Sequence, residues 1–134
     1  MDLSSSALEL VLRGMEAVVN TPGGTAYNTA RLDDPSMMIA GKTGTSQVRR
    51  ITAAERVTGV KKNEDLPWHM RDHAVFVAFG PVDSPRYSIA VLVEHGGGGS
   101  RAAAPIAKDV MRLVFERDPS RARPIVSKDS NDAA

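Results

Sequence analysis

Met37-Met38-Ile39-Ala40-Gly41-Lys42-Thr43-Gly44-Thr45-Ser46-Gln47-Val48 decides how the rest of this chain is read. The stretch sets a lysine, three hydroxyls and two glycines along a segment whose composition reads as extended. On a strand, alternation sends Lys42 and Gly44 to one face and Thr43 and Thr45 to the other. A strictly flat strand would not aim all four at one site. Gly44, lacking a Cβ, permits a local twist and lets a second backbone approach closely.

Working outward, His73 to Gly80 and Arg86 to His95 are two β-rich runs joined by Pro81-Val82-Asp83-Ser84-Pro85, which predicts an antiparallel hairpin. Both runs are apolar at nearly every position, a pattern expected of strands covered on both faces. Two helices are available as cover. Ser6-Ala7-Leu8-Glu9 is a capping-box pattern, and Leu8, Val11, Leu12, Met15, Val18 and Val19 mark one helical face, ended by Asn20-Thr21-Pro22-Gly23-Gly24. Toward the C-terminus, Ala103, Ile106, Val110, Leu113 and Val114 form a second stripe behind a Ser100 cap, with Pro105 in the first turn.

Residues 25–32 suggest a short further helix before the Asp33-Asp34-Pro35 turn. Arg49 to Arg71 has much charge and little apolar periodicity, so it reads as a long loop, either flanking a site or forming a solvated insertion. The expected architecture is α+β, a three-stranded antiparallel sheet flanked by helices. Residues 1–117 form the folded part, and 118–134 a polar, Pro-interrupted tail expected to be disordered.

Composition bounds the partners. The 134 residues carry a net charge of +1 with both signs interspersed, which points to neither nucleic acid nor an anionic membrane. No cysteine is present, so a disulfide framework and thiolate metal sites are excluded. No apolar run approaches the ~20 residues of a membrane helix, and the N-terminus has no signal-peptide pattern.

Rival chemistries fail on spacing. A phosphate loop ending in Gly41-Lys42-Thr43 needs a glycine at position 36, where Ser36 stands, and a helix after Thr43. His69 and His73 would make a zinc pair only on a shared helix, which Pro67 and the strand starting at His73 oppose, and no third ligand is evident. His95 beside Gly96 to Gly99 reads as a solvated strand-to-helix turn. Trp68 either lines a rim or anchors the loop.

Gly41 to Val48, Asp72 to Pro81, and Glu94 to Ser100 with Ala103-Ala104-Pro105-Ile106-Ala107 resemble, in order and spacing, the C-terminal part of class B penicillin-binding proteins of the cell-elongation type. Gly14 to Val19 and Gly24-Thr25-Ala26 extend the similarity over roughly residues 8–117. Lys-Thr-Gly is the third of three motifs shared by these proteins and serine β-lactamases, after Ser-x-x-Lys with the nucleophile and Ser-x-Asn.

The resemblance implies the C-terminal part of a serine β-lactamase/transpeptidase-like domain. Its catalytic contributions would be Lys42, bonding toward the Ser of the second motif, and the Thr45 N–H, completing the oxyanion hole. Thr43 would bind the carboxylate of a penicillin or of a terminal D-alanine, with Gly44 and Gln47 as substrate contacts along the same strand. It implies no cofactor and no metal, a peptidoglycan stem peptide and β-lactams as ligands, and the periplasmic face of the bacterial inner membrane as location.

No Ser is followed by Lys three positions later, and none by Asn two positions later. Ser127-Lys128-Asp129 and Ser130-Asn131-Asp132 come nearest, but they follow Lys-Thr-Gly where the family's second motif precedes it. The chain alone is therefore expected to be inactive, its partner being the missing N-terminal part of the domain. The alternative is a noncatalytic peptide-binding or assembly module. In the family the sheet has five strands, so the edge of strand 86–95 is expected to lie open and to favour a dimer or a swap.

Overall fold

A computed structural model of the chain describes residues 4–119. Three strands, β1 (Ala40–Ser46), β2 (His73–Gly80) and β3 (Tyr87–Val93), form one antiparallel sheet in the order β1-β2-β3. The hairpin and the three-stranded antiparallel sheet agree with the sequence reading. Four helices accompany them: α1 (Ser5–Asn20), α2 (Tyr27–Ala30), α3 (Ala53–Thr58) and α4 (Gly99–Glu116).

Register divides the sheet into two unlike faces. Lys42 lies opposite Val77, Gly44 opposite Val75, and Val75 in turn opposite Leu92, so these residues share one face. Thr43, Phe76 and Val91 share the other. On that second face Ala74, Phe76 and Ala78 are buried under α4, whose Ala103, Ala104, Ala107, Met111 and Phe115 are buried in return. The expectation of strands covered on both faces is thus corrected: on the first face Val77 is exposed and Leu92 is 60% exposed.

The apolar stripes are corrected as well. In α4 the inward residues recur every four positions from Ala103 to Phe115, while Ile106, Val110 and Leu113 face outward. Ala103 is buried as expected, and the small size of the three buried alanines lets the helix lie close on the sheet. In α1, Leu8, Val11 and Leu12 are exposed, and only the C-terminal end is anchored, through buried Val19 and half-buried Val18. Asn20 fixes that end by donating to the Ile39 carbonyl at 2.9 Å.

Caps differ in position from those expected. Ser4, rather than Ser6, caps α1, its hydroxyl accepting from the Ala7 N–H at 3.3 Å. α4 starts at Gly99 behind Gly98, so Ser100 is not its cap and Pro105 falls inside the helix rather than in its first turn. The loop 49–71 contains α3 and 3-10 turns at Asn63–Asp65 and Trp68–Met70. Its organiser is a capping box, in which Thr52 and Glu55 exchange backbone and side-chain hydrogen bonds. Of the tail, Asp118 is buried and paired with Arg86 at 2.8 Å, and 120–134 lie outside the described residues.

The hydrogen bond from Arg49, reinforced by the Thr52 N–H, holds the Glu55 carboxyl at about 2, well below its ordinary value. A depressed carboxyl stabilises the fold above its ordinary range, and that contribution is lost as pH falls through the folded value. Acidification from about 4.5 to about 2 should therefore unwind α3 selectively. Amide chemical shifts of Ala53–Thr58 would report this, and in Glu55→Gln they should show no such step over that window.

Candidate active-site wall

β1 pairs with β2 along one side only, so among the described residues no strand pairs with its other edge, and the strand becomes exposed from Lys42 onward except at half-buried Thr43 and Gly44. The motif lies along this edge. Gly41 begins it for a packing reason: a Cβ there would stand 2.6 Å from the Phe76 ring and 2.7 Å from the Val77 carbonyl oxygen. Only glycine lets β1 lie flat against the core at this point.

Lys42 is exposed on the uncovered face, and its ammonium donates to the Thr43 carbonyl at 2.8 Å. Thr43 points to the opposite face, where its hydroxyl is 3.0 Å from that of Thr25 in the loop before α2. Gly44 is half-buried and Thr45 exposed, both still within the strand. Gln47 lies just past the strand's end and is exposed. The structure thus keeps all five residues on one edge, with Lys42 and Thr43 on either side of it.

Three features escaped the sequence reading. Thr25 was part of a noted tripeptide but had no assigned role, since nothing in its local spacing foretells a bond to Thr43. Gly99, at the start of α4, presses on the motif from behind: a Cβ on it would fall 2.5 Å from the Gly44 carbonyl oxygen and 2.2 Å from that of Val75. The third is a polar cluster at the far end of β1, where Asn63 is hydrogen-bonded to Asp72 and the His95 N–H to His73. His69 sits in a 3-10 turn and His73 in a strand, so they do not share a helix. Trp68 packs edge-on against His95 with ring centres 4.4 Å apart.

Beside that cluster a cavity of about 390 Å³ is lined by Lys62, Glu64, Arg71, His95 and Arg101. The Arg101 hydrogen bond holds the Glu64 carboxyl below its ordinary range.

Residues 1–112 match the family model of the penicillin binding protein transpeptidase domain. Peptidoglycan D,D-transpeptidase MrdA of Haemophilus influenzae is 39% identical over 108 residues, covering 79% of this chain and 15% of that protein. The Escherichia coli K12 protein of the same name is 34% identical over 115 residues, covering 86% of the chain and 16% of that protein. The chain thus spans about a sixth of the length of these relatives.

Two solved structures give the same picture. Penicillin-binding protein PBP2 of Helicobacter pylori, in complex with MreC, superposes with a TM-score of 0.66 at 32% identity, over 85% of this chain and 18% of that one. PBP2 of Pseudomonas aeruginosa, in complex with WCK 5153, gives 0.63 at 31% identity, over 92% and 24%. With the motif on an open strand edge and the match running through nearly all the described residues, the chain belongs to the penicillin-binding protein transpeptidase family, in its class B, MrdA-type branch.

Proposed function

We propose that residues 1–117 form the C-terminal portion of a peptidoglycan D,D-transpeptidase domain and supply the Lys-Thr-Gly-Thr wall of its active site. The observation that carries this reading is the placement of Lys42, Thr43 and Thr45 along the free edge of β1. A peptide in extended form can add to such an edge as a further strand. Lys42 then raises the positive potential beside a serine nucleophile, the Thr43 hydroxyl donates a hydrogen bond to the substrate's terminal carboxylate, and the Thr45 N–H donates to the oxyanion. Gly44 gives the substrate backbone room, and Gln47 extends the contact.

The nucleophile comes from elsewhere. In the complete reaction a serine attacks the carbonyl of the penultimate D-alanine, the terminal D-alanine leaves, and the acyl group passes to an amine of a neighbouring strand. A β-lactam acylates the same serine. Among the described residues no helix is long and apolar enough to cross a membrane. The periplasmic face of the inner membrane is the location that suits a cell-wall substrate.

The uncovered sheet face with Val77 and Leu92, the exposed Val11 and Leu12 of α1, and the unpaired edge of β3 are the surfaces left for the N-terminal part of the domain. Without that part, the same apolar surfaces favour self-association. The test is reconstitution: this chain is mixed with a polypeptide carrying the Ser-x-x-Lys portion of the domain, then treated with a fluorescent penicillin. Labelling of the Ser-x-x-Lys polypeptide should depend on the presence of this chain. Equal labelling with and without it would overturn the proposal and favour a noncatalytic module.

A further inference from the structure

We propose that His73 is a positioning residue for the motif strand, acting through its Nδ1 as the acceptor that locks the turn between β3 and α4. The inference rests on the reading of β1 as an active-site wall. His73 lies directly opposite Ser46, at the end of β1. Its Nδ1 accepts a hydrogen bond from the backbone N–H of His95 at 2.9 Å. That bond requires an unprotonated Nδ1, which places the proton of the neutral ring on Nε2.

His95 is a costly residue to hold in place, because its φ is +53°, in the left-handed region that a side chain with a Cβ disfavours. Two further bonds tie down the turn it begins. The His95 ring Nδ1 lies 2.9 Å from the Arg71 carbonyl, which only accepts, so the imidazole carries its proton on Nδ1. The Gly97 N–H donates to the Asp72 carbonyl at 2.8 Å. Asn63 in turn fixes Asp72, accepting from its N–H at 2.9 Å and donating to its carboxylate at 3.2 Å.

The turn delivers the chain into α4 at Gly99, whose backbone abuts that of Gly44. A displaced turn therefore moves the support behind the middle of Lys-Thr-Gly and behind Thr45, its neighbour. The link is short: His73 to His95, the turn, Gly99, Gly44. Asparagine is the informative replacement, since its Oδ1 occupies nearly the position of the imidazole Nδ1 and accepts in the same direction. Phenylalanine keeps the ring and removes the acceptor.

Imidazole nitrogen NMR and amide exchange on this chain test the idea. The expected result is an Nε2–H tautomer for His73 and an Nδ1–H tautomer for His95. His73→Phe should lose exchange protection at the His95 and Gly97 amides and shift the Gly44 and Thr45 resonances, and His73→Asn should restore both. An Nδ1–H tautomer at His73, or a folded His73→Phe chain with Gly97 protection and Gly44 and Thr45 shifts unchanged, would overturn the proposal. Should His73→Phe not fold, the wild-type tautomer and the exchange pattern of His73→Asn decide it. None of these readouts involves penicillin. A reconstituted domain that takes no label would count against the proposed function and leave these results to judge the latch.

Discussion

Gly99→Ala should destabilise the chain by about 3 kcal/mol or more, the upper range of overpacking costs, because the added methyl meets backbone that cannot rotate away. The carbonyl oxygens of Val75 and Gly44 would stand 2.2 and 2.5 Å from the new Cβ. α4 would have to lift from the sheet, exposing part of the face that buries Phe76 and Phe115. Gly14→Ala is the control of opposite sign. Gly14 lies inside α1 with nothing within 4 Å of an added Cβ, so the change should stabilise by roughly 0.5–1 kcal/mol through helix propensity. Urea denaturation of both variants, followed by circular dichroism, would check the contrast. A Gly99→Ala chain as stable as the parent would show that α4 does not sit against β1 as described.

The second large effect concerns Lys42. In a reconstituted domain, Lys42→Ala should slow acylation by fluorescent penicillin about 10²-fold or more, the scale seen when a charge aimed at the reacting group is removed. Lys42 is exposed and on the uncovered sheet face, so its removal should leave the melting temperature of the chain nearly unchanged. A large rate loss with intact stability separates a catalytic role from a structural one. An acylation rate within a few-fold of the parent would remove Lys42 from the site.

The hairpin and the extended segment that carries the motif were legible because they depend on local signals: a proline-bracketed turn and runs of apolar and β-branched residues. Lys42 and Thr43 fall on opposite faces as strand periodicity requires. The cover of the sheet was misread because Val75, Val77 and Leu92 are as apolar as core residues whatever they face. A chain that spans a sixth of its relatives' length leaves on its surface residues that read as core. The α4 stripe was misread in part, since Ala104, Ala107, Met111 and Phe115 pack beside Ala103 while Ile106, Val110 and Leu113 point out. α3 was missed although Thr52 and Glu55 carry a capping-box spacing, because the charged residues around them hide any apolar face. The Thr25–Thr43 bond, the Gly99–Gly44 contact and the His73–His95 bond join residues 18, 55 and 22 positions apart, and no local pattern records such pairings.

In the function proposed above, this chain holds one wall of an acyl-transfer site, and its sequence has no Ser-x-x-Lys to supply the group that attacks. Intact mass spectrometry of the isolated chain after incubation with excess penicillin tests it most directly. The expected spectrum is that of the unmodified chain at every incubation time. A stable mass increase of one penicillin, placed by fragmentation on any serine of this sequence, would contradict the claim.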